Sequence, residues 1–80
     1  MGARKAKPVH PGEFVADELE ERGWTRYKLA KMVQTEPRYI QELCECRRSV
    51  DEDLARGLGQ AFGTGPVVWT RLQAAYDRAR

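Results

Sequence analysis

The sequence predicts an all-α fold of five short helices. Three observations support this prediction. Apolar residues recur every three or four positions along five segments of the 80-residue chain, which is the spacing of amphipathic helices. Proline, glycine and N-capping residues lie at the ends of those segments. No segment of useful length alternates polar and apolar residues, as a half-buried strand would.

The first helix is expected to begin at His10-Pro11-Gly12-Glu13. Proline is tolerated in a first turn, and an acidic residue there favours the positive end of the helix dipole. Phe14, Val15 and Leu19 would form the apolar side of this helix. Gly23 follows as the residue just past the helix end, where a positive φ is common.

The second and third helices form a central pair. Thr25 is a suitable N-cap for the second, and Pro37 suits the first position of the third. Their apolar positions are Leu29, Ala30 and Val33 in the second helix and Ile40, Leu43 and Cys44 in the third. Two such short helices with a brief connection predict a helix-turn-helix from Thr25 to Cys44. The outer face of its second helix would be free to enter a DNA major groove.

The fourth and fifth helices would cover this pair. A polar and basic loop, Glu45 to Val50, leads to Asp51, a suitable N-cap for the fourth helix. The apolar stripe of that helix is Leu54, Ala55, Leu58, Ala61 and Phe62. Gly63 is expected to end it, and Thr64-Gly65-Pro66 to start the fifth. The apolar residues of the fifth helix are Val68, Trp69, Leu72, Tyr76 and Ala79.

Length and composition exclude several classes of protein. A mass of 9.2 kDa allows one domain, which we expect to span residues 10–80 after a basic, flexible tail at residues 1–9. No apolar run approaches the roughly 20 residues that cross a bilayer. The basic N-terminus lacks the apolar segment of a secretory signal. We therefore expect a cytoplasmic protein with no membrane partner.

The cysteine content argues against both a disulfide scaffold and a metal site. Cys44 and Cys46 are the only two cysteines, whereas a disulfide-stabilised domain uses more of them at wider spacing. A structural zinc site needs four ligands, and only His10 could join the two thiols. No nucleophile, base and orienting acid are grouped, and no glycine-rich phosphate loop occurs. We therefore predict no metal, no cofactor and no enzymatic activity.

Charge is unevenly distributed along the chain, although the total is only +2. Residues 1–10 carry three basic and no acidic residues, and residues 11–23 carry five acidic residues against one basic. Residues 24–50, which include the helix-turn-helix, carry six basic and three acidic residues. A basic segment of this kind suits phosphate, while the acidic first helix would suit a basic protein. The alternative is that both are solvated helix surfaces.

Two sets of motifs resemble a known family. The pattern H-P-G-E at 10–13, L-x-x-R-G-W-T at 19–25 and L-A at 29–30 resembles the Cro/lambda-repressor-like helix-turn-helix regulators, also called the XRE family. The string F-G-T-G-P-x-x-W-x-x-L-Q-x-x-Y-D at 62–77 is similar to the HigA-type antitoxins within that group. Together the motifs cover nearly the whole chain.

The resemblance implies a fold and a function. It implies a five-helix, lambda-repressor-like DNA-binding domain that forms a homodimer, binds a palindromic operator of its own operon and neutralises a RelE/HigB-like toxin. Three residues depart from the family pattern. Gln34 replaces a glycine in the turn of the motif, and Glu45-Cys46 replaces an asparagine followed by glycine. Positive φ is expected at these glycine positions, and an anion at 45 would repel phosphate.

The resemblance also implies which residues contact DNA. Arg38 would bond guanine and Gln41 adenine, the usual partners of these side chains. The N-terminus of the second helix and the loop after the third would bind phosphates. The predicted DNA-contacting residues are Thr25, Arg26, Lys28, Thr35, Pro37, Arg38, Tyr39, Gln41, Glu42, Arg47 and Arg48. Tyr39 has packing as its alternative role, and Glu42 could equally face solvent.

Contacts with another protein chain are expected on the fifth helix. Three apolar residues recur there at helical spacing: Trp69, Leu72 and Tyr76. They are predicted to pack or to contact a second copy or a partner.

Two alternatives to the repressor remain open. One is a protein-binding module that has kept the fold and lost most of its DNA affinity, because of Gln34, Cys46 and the acids near the reading surface. The other is a solitary phage or plasmid regulator without a toxin.

Overall fold

A computed structural model describes residues 9–79 of the chain. The elements are α1 (Pro11–Arg22), α2 (Arg26–Val33), α3 (Pro37–Cys44), α4 (Glu52–Phe62) and α5 (Val67–Ala79). The predicted all-α fold of five helices is confirmed, and no residue from 9 to 79 lies in a strand. The predicted basic tail lies outside the described residues, except for Val9. Within the described range no helix combines the length and apolarity needed to span a membrane.

Capping side chains set the predicted helix boundaries. His10, Thr25 and Asp51 are the N-caps of α1, α2 and α4, and each side chain accepts a hydrogen bond from a backbone N–H of the first turn, at 2.9, 3.0 and 2.8 Å. These bonds satisfy amides that the helix itself leaves without partners. Gly23 and Gly63 end α1 and α4 at φ values of 69° and 74°, as predicted.

The core lies where the apolar sides of all five helices meet. Its buried side chains are Val15, Leu19, Leu29, Ala30, Ile40, Leu43, Val50, Leu54, Ala55, Leu58, Phe62 and Trp69. The prediction for Phe14 is wrong, because its side chain is 40% exposed. Phe14 points about 100° away from Val15 around α1, and Val15 is the one of the two that is buried.

α5 begins one residue later than Pro66, and its main anchor is Trp69. The backbone carbonyl of Pro66 accepts a hydrogen bond from the N–H of Trp69 at 3.1 Å. The Trp69 ring packs against Phe62 with centroids 5.7 Å apart, and its Nε1 donates to Thr64 Oγ1 at 2.9 Å. Only 3% of Trp69 is exposed. Of its two predicted roles, Trp69 has the packing one, since its side chain is enclosed by its own chain and offers little surface to a second copy or a partner.

The other two predicted contact residues of α5 are half-buried. Leu72 packs against the edge of the core. The Tyr76 ring lies edge-on to His10, with centroids 4.7 Å apart. Both side chains retain surface that a second chain could cover, so their contact role stays a prediction.

One close contact and two left-handed residues fix the position of α3. A Cβ on Gly12 would lie 1.7 Å from the carbonyl oxygen of Leu43, so the start of α1 approaches the end of α3 as closely as only glycine allows. Two residues that flank α3 have left-handed backbones: Gln34 at φ 65° and Cys46 at φ 63°. These are the positions where glycine was expected from the family pattern, and the expected positive φ is confirmed.

A buried glutamine of α5 holds the loop between α3 and α4. Gln73 is 6% exposed. Its Oε1 accepts a hydrogen bond from the backbone N–H of Val50 at 2.8 Å, and its Nε2 donates to Asp77 at 3.0 Å. The bond to Val50 connects α5 to the end of the loop that carries Arg47 and Arg48.

Candidate nucleic-acid interface

The outward face of α3 is polar. Ile40 and Leu43 are fully buried behind it. The residues of the outward face follow the i, i+3, i+4 and i+7 positions of one helix side, and they are Arg38, Gln41, Glu42 and Glu45. Glu42 is half-buried and the other three are exposed. This face can contact a partner without disturbing the core.

The N-terminus of α2 lies beside this face. Thr25 caps α2, and the exposed Arg26 and Lys28 occupy its first turn. The ammonium of Lys28 lies 4.9 Å from the ring centroid of Trp24, which orients its stem along the protein surface. Backbone amides at a helix start, together with these cations, suit a phosphate group.

A cleft of about 630 Å³ joins the two elements, and we call it the α2–α3 cleft. Its lining residues from this region are Thr25, Arg26, Tyr27, Pro37, Arg38, Gln41 and Cys44. The structure therefore brings five of the predicted DNA-contacting residues together around one opening. Arg38 makes no hydrogen bond or ion pair within residues 9–79, so its guanidinium is available to a ligand.

Three further predicted residues lie on the other flank of α3. Thr35, Tyr39 and Arg48 line a smaller cleft of about 270 Å³ against α4. The Arg48 guanidinium lies 4.0 Å from the centroid of the Tyr39 ring, and its Nε donates to Glu42 Oε1 at 3.1 Å. Tyr39 is therefore engaged in packing with Arg48, and Thr35 is half-buried, so these side chains are less exposed than those predicted to contact DNA in the α2–α3 cleft.

Glu45 binds two of the predicted DNA-contacting side chains. Its carboxylate accepts hydrogen bonds from Arg47 Nη1 at 2.8 Å and from Gln41 Nε2 at 3.2 Å. The hydrogen bonds from Gln41 and then Arg47 hold the pKa of Glu45 below its ordinary value. Glu45 is therefore an anion at neutral pH, at the C-terminal end of the outward face of α3.

The two thiols belong to different sites. Cys44 lines the α2–α3 cleft, whereas Cys46 lines a small pocket near His10 and Tyr76. Burial raises the pKa of both thiols, against the opposing effect of Arg26 on Cys44. No group of three or more metal-ligating side chains occurs within residues 9–79.

Sequence reasoning missed Tyr27 and Gln73. Tyr27 is 73% exposed and lines the α2–α3 cleft. Its signal in the sequence is its position off the stripe of Leu29 and Ala30, which leaves an aromatic ring beside two basic residues. Gln73 has no such signal, because its partner, the backbone of Val50, is 23 residues away.

Comparison with known proteins decides the family. An antidote protein of a plasmid maintenance system from Nostoc punctiforme is 37% identical, with a TM-score of 0.85 over 89% of this chain and 78% of the other. A HigA-family addiction module antidote from Coxiella burnetii is 35% identical, with a TM-score of 0.86 over 91% and 80%. The chain belongs to the HigA family of antitoxins. The predicted HigA-type resemblance is thereby confirmed.

A third HigA was solved with DNA. Antitoxin HigA of Pseudomonas aeruginosa, with the higBA promoter, is 31% identical, with a TM-score of 0.87 over 91% of this chain and 80% of the other. No protein-family model matches the chain, and no curated protein sequence matches it. The HigA assignment therefore depends on solved structures that share both fold and sequence with this chain.

Proposed function

We propose that this HigA-family chain is a sequence-specific DNA-binding antitoxin that represses its own toxin–antitoxin operon. The observation that carries the proposal is the α2–α3 cleft. There Arg38, which makes no hydrogen bond or ion pair within residues 9–79, and the exposed Gln41 lie beside the capped N-terminus of α2. The promoter complex of the P. aeruginosa relative supports it. The protein would act in the cytoplasm.

The residues of the cleft and the neighbouring Lys28 have separate roles in this proposal. Arg38 bonds the O6 and N7 atoms of guanine and Gln41 bonds adenine, so these two side chains provide sequence selectivity. Thr25, Arg26 and Lys28 bind phosphate and fix the position of α3 in the groove without reading sequence. Pro37 offers apolar surface, which suits a thymine methyl group.

The active form would be a homodimer on a palindromic operator. Two copies of α3 related by a dyad enter successive major grooves about one helical turn apart, or roughly 34 Å. The half-buried Leu72 and Tyr76 of α5 are the candidate contacts between copies.

Neutralisation of a RelE/HigB-like toxin is the second part of the proposed activity, and the family membership supports it. Co-purification with the product of the adjacent reading frame, and rescue of growth, would test that part.

Titration of DNA separates base reading from phosphate binding. Wild type, Arg38→Ala and Lys28→Ala are titrated against a duplex from the upstream region and a scrambled duplex of the same composition, at low and moderate salt. Arg38→Ala is expected to reduce the preference for the upstream duplex by about 1–3 kcal/mol. Lys28→Ala should weaken both complexes equally, because phosphate contacts do not depend on sequence.

Arg71→Ala is the matched control. It removes the same charge from the exposed surface of α5, outside the α2–α3 cleft, and light scattering checks that all variants keep the same oligomeric state. It should leave the preference between the two duplexes unchanged. The assignment of α3 as the reading helix fails if Arg71→Ala lowers the preference as much as Arg38→Ala does.

The ion pairs of the loop favour a second candidate function. Arg47 and Arg48 are bonded to Glu45 and Glu42, so two of the proposed phosphate contacts are already occupied. A protein-binding module with weak DNA affinity would have this feature. Wild-type protein that binds both duplexes equally, or neither, would support the module over the repressor. Specific binding by a chain whose adjacent gene encodes no toxin would indicate a solitary regulator.

A further inference from the structure

The carboxylate of Glu45 lies at the C-terminal end of the proposed reading surface. Glu45 is the C-cap of α3, and it follows Gln41 by four residues, which places the two side chains on the same side of the helix. Its oxygens bind Arg47 at 2.8 Å and Gln41 at 3.2 Å. One acidic residue therefore engages both a proposed phosphate contact and a proposed base contact.

We propose that Glu45 sets the DNA affinity of this surface by competing with DNA phosphate for Arg47. This inference rests on the proposed function of α3. A guanidinium binds carboxylate and phosphate oxygens with the same geometry. In the free protein Glu45 takes the place of the phosphate, and a phosphodiester that approaches Arg47 must displace it.

The displaced carboxylate weakens binding a second time. Once Arg47 turns to the DNA backbone, Glu45 remains beside it with one partner fewer. The depressed pKa of Glu45 in the free protein shows that its partners stabilise the anion. The carboxylate is therefore ionised when DNA approaches, and it repels the phosphates of the arriving strand.

The neighbouring pair of Glu42 and Arg48 is less suited to this role. The Arg48 guanidinium also lies 4.0 Å from the centroid of the Tyr39 ring, so a cation–π contact holds it in place in addition to the ion pair. Its side chain is 37% exposed, whereas that of Arg47 is 67% exposed. An exposed ion pair exchanges its partners readily, because it contributes little net free energy in water. The competition is therefore assigned to Glu45.

The test compares two variants that remove one negative charge each. Glu45→Gln removes the competing anion, and Glu20→Gln removes an exposed anion from α1 as the matched control. Binding to the upstream and scrambled duplexes is measured by fluorescence anisotropy over a series of salt concentrations. Glu45→Gln is expected to bind both duplexes about three- to tenfold more tightly. The slope of log affinity against log salt concentration should steepen by up to about 0.9, the value of one phosphate contact, because Arg47 no longer exchanges a carboxylate for the phosphate. Glu20→Gln should stay within about twofold of wild type, since no hydrogen bond or ion pair within residues 9–79 joins Glu20 to Arg47 and an exposed charge is screened.

A double variant shows whether Arg47 carries the effect. In an Arg47→Ala background, Glu45→Gln should lose most of its gain, because the side chain for which Glu45 competes is absent. Equal binding by Glu45→Gln and Glu20→Gln would overturn the proposal. So would a full gain that persists without Arg47, since Glu45 would then act only as a long-range charge.

Failure of this inference is distinguishable from failure of the proposed function. Absence of a wild-type preference for the upstream duplex contradicts the repressor, whatever the variants do. The competition for Arg47 is also tested without DNA, on immobilised heparin, which is a sulfated polyanion. The measured quantity is the salt concentration at which each variant elutes. Later elution of Glu45→Gln than of Glu20→Gln supports the inference, and co-elution contradicts it.

Discussion

Replacement of Gln34 by glycine should stabilise the protein. Gln34 ends α2 in a left-handed conformation, at φ 65° and ψ 47°. That conformation costs an L-residue roughly 1–2 kcal/mol, while glycine adopts it freely. Glycine loses more backbone entropy on folding than glutamine does, which reduces this gain in the free energy of unfolding by about 0.5–1 kcal/mol. The exposed Gln34 side chain makes no hydrogen bond within residues 9–79, so no contact is lost. The expected net stabilisation is about 0.5–1 kcal/mol.

The assay is urea unfolding followed by circular dichroism, with Gln60→Gly as the control. The midpoint of Gln34→Gly should rise with an unchanged slope, and its Tm should rise by about 2–8 °C, given the usual shift per kcal/mol in a domain of this size. Gln60 is exposed within α4, where glycine costs roughly 0.5–1 kcal/mol relative to other residues. The same substitution should therefore have opposite signs at the two positions. A lower midpoint for Gln34→Gly would refute the reasoning from backbone strain.

Three further substitutions test contacts that hold α3 and its loop, each by the same unfolding assay. Gly12→Ala should destabilise by about 1–3 kcal/mol, because the new Cβ would collide with the Leu43 carbonyl oxygen. Gln73→Leu should cost about 1–3 kcal/mol, since the buried N–H of Val50 would lose its acceptor; an unchanged midpoint would mean that water replaces it. Asp51→Ala should cost about 1 kcal/mol through loss of the α4 N-cap, and a neutral result would show that the cap bond is not maintained in solution.

Most of the fold could be predicted from the sequence because its signals are local. Caps such as Thr25 and Asp51 act on amides three residues away, and Gly23 ends a helix through its own backbone. Phe14 shows the limit of this reasoning. Its spacing placed it on the apolar side of α1, but only the packing of the whole core decides that Val15 is buried and Phe14 is not.

The residues of the site could be predicted from the sequence, but the contacts between their side chains could not. The resemblance placed Arg38 and Gln41 on the outward face, and the structure places both at one cleft. The sequence also showed that acids lie near the basic residues. It did not show that Glu45 bonds Arg47 or that Arg48 stacks on Tyr39, because such pairs depend on rotamers and on the path of the loop.

Residues that are not assigned a DNA contact determine where α3 lies. Gln34 and Cys46 turn the chain before and after it with left-handed backbones. Gly12 lets α1 approach its last turn, and Gln73 holds the loop that follows. A substitution that does not fit the local geometry, such as Gly12→Ala, is expected to shift α3 and its loop relative to α2, which would change the spacing between the predicted phosphate and base contacts. Loss of DNA binding in such a variant would therefore reflect a displaced helix, whereas loss in Arg38→Ala would reflect a missing contact.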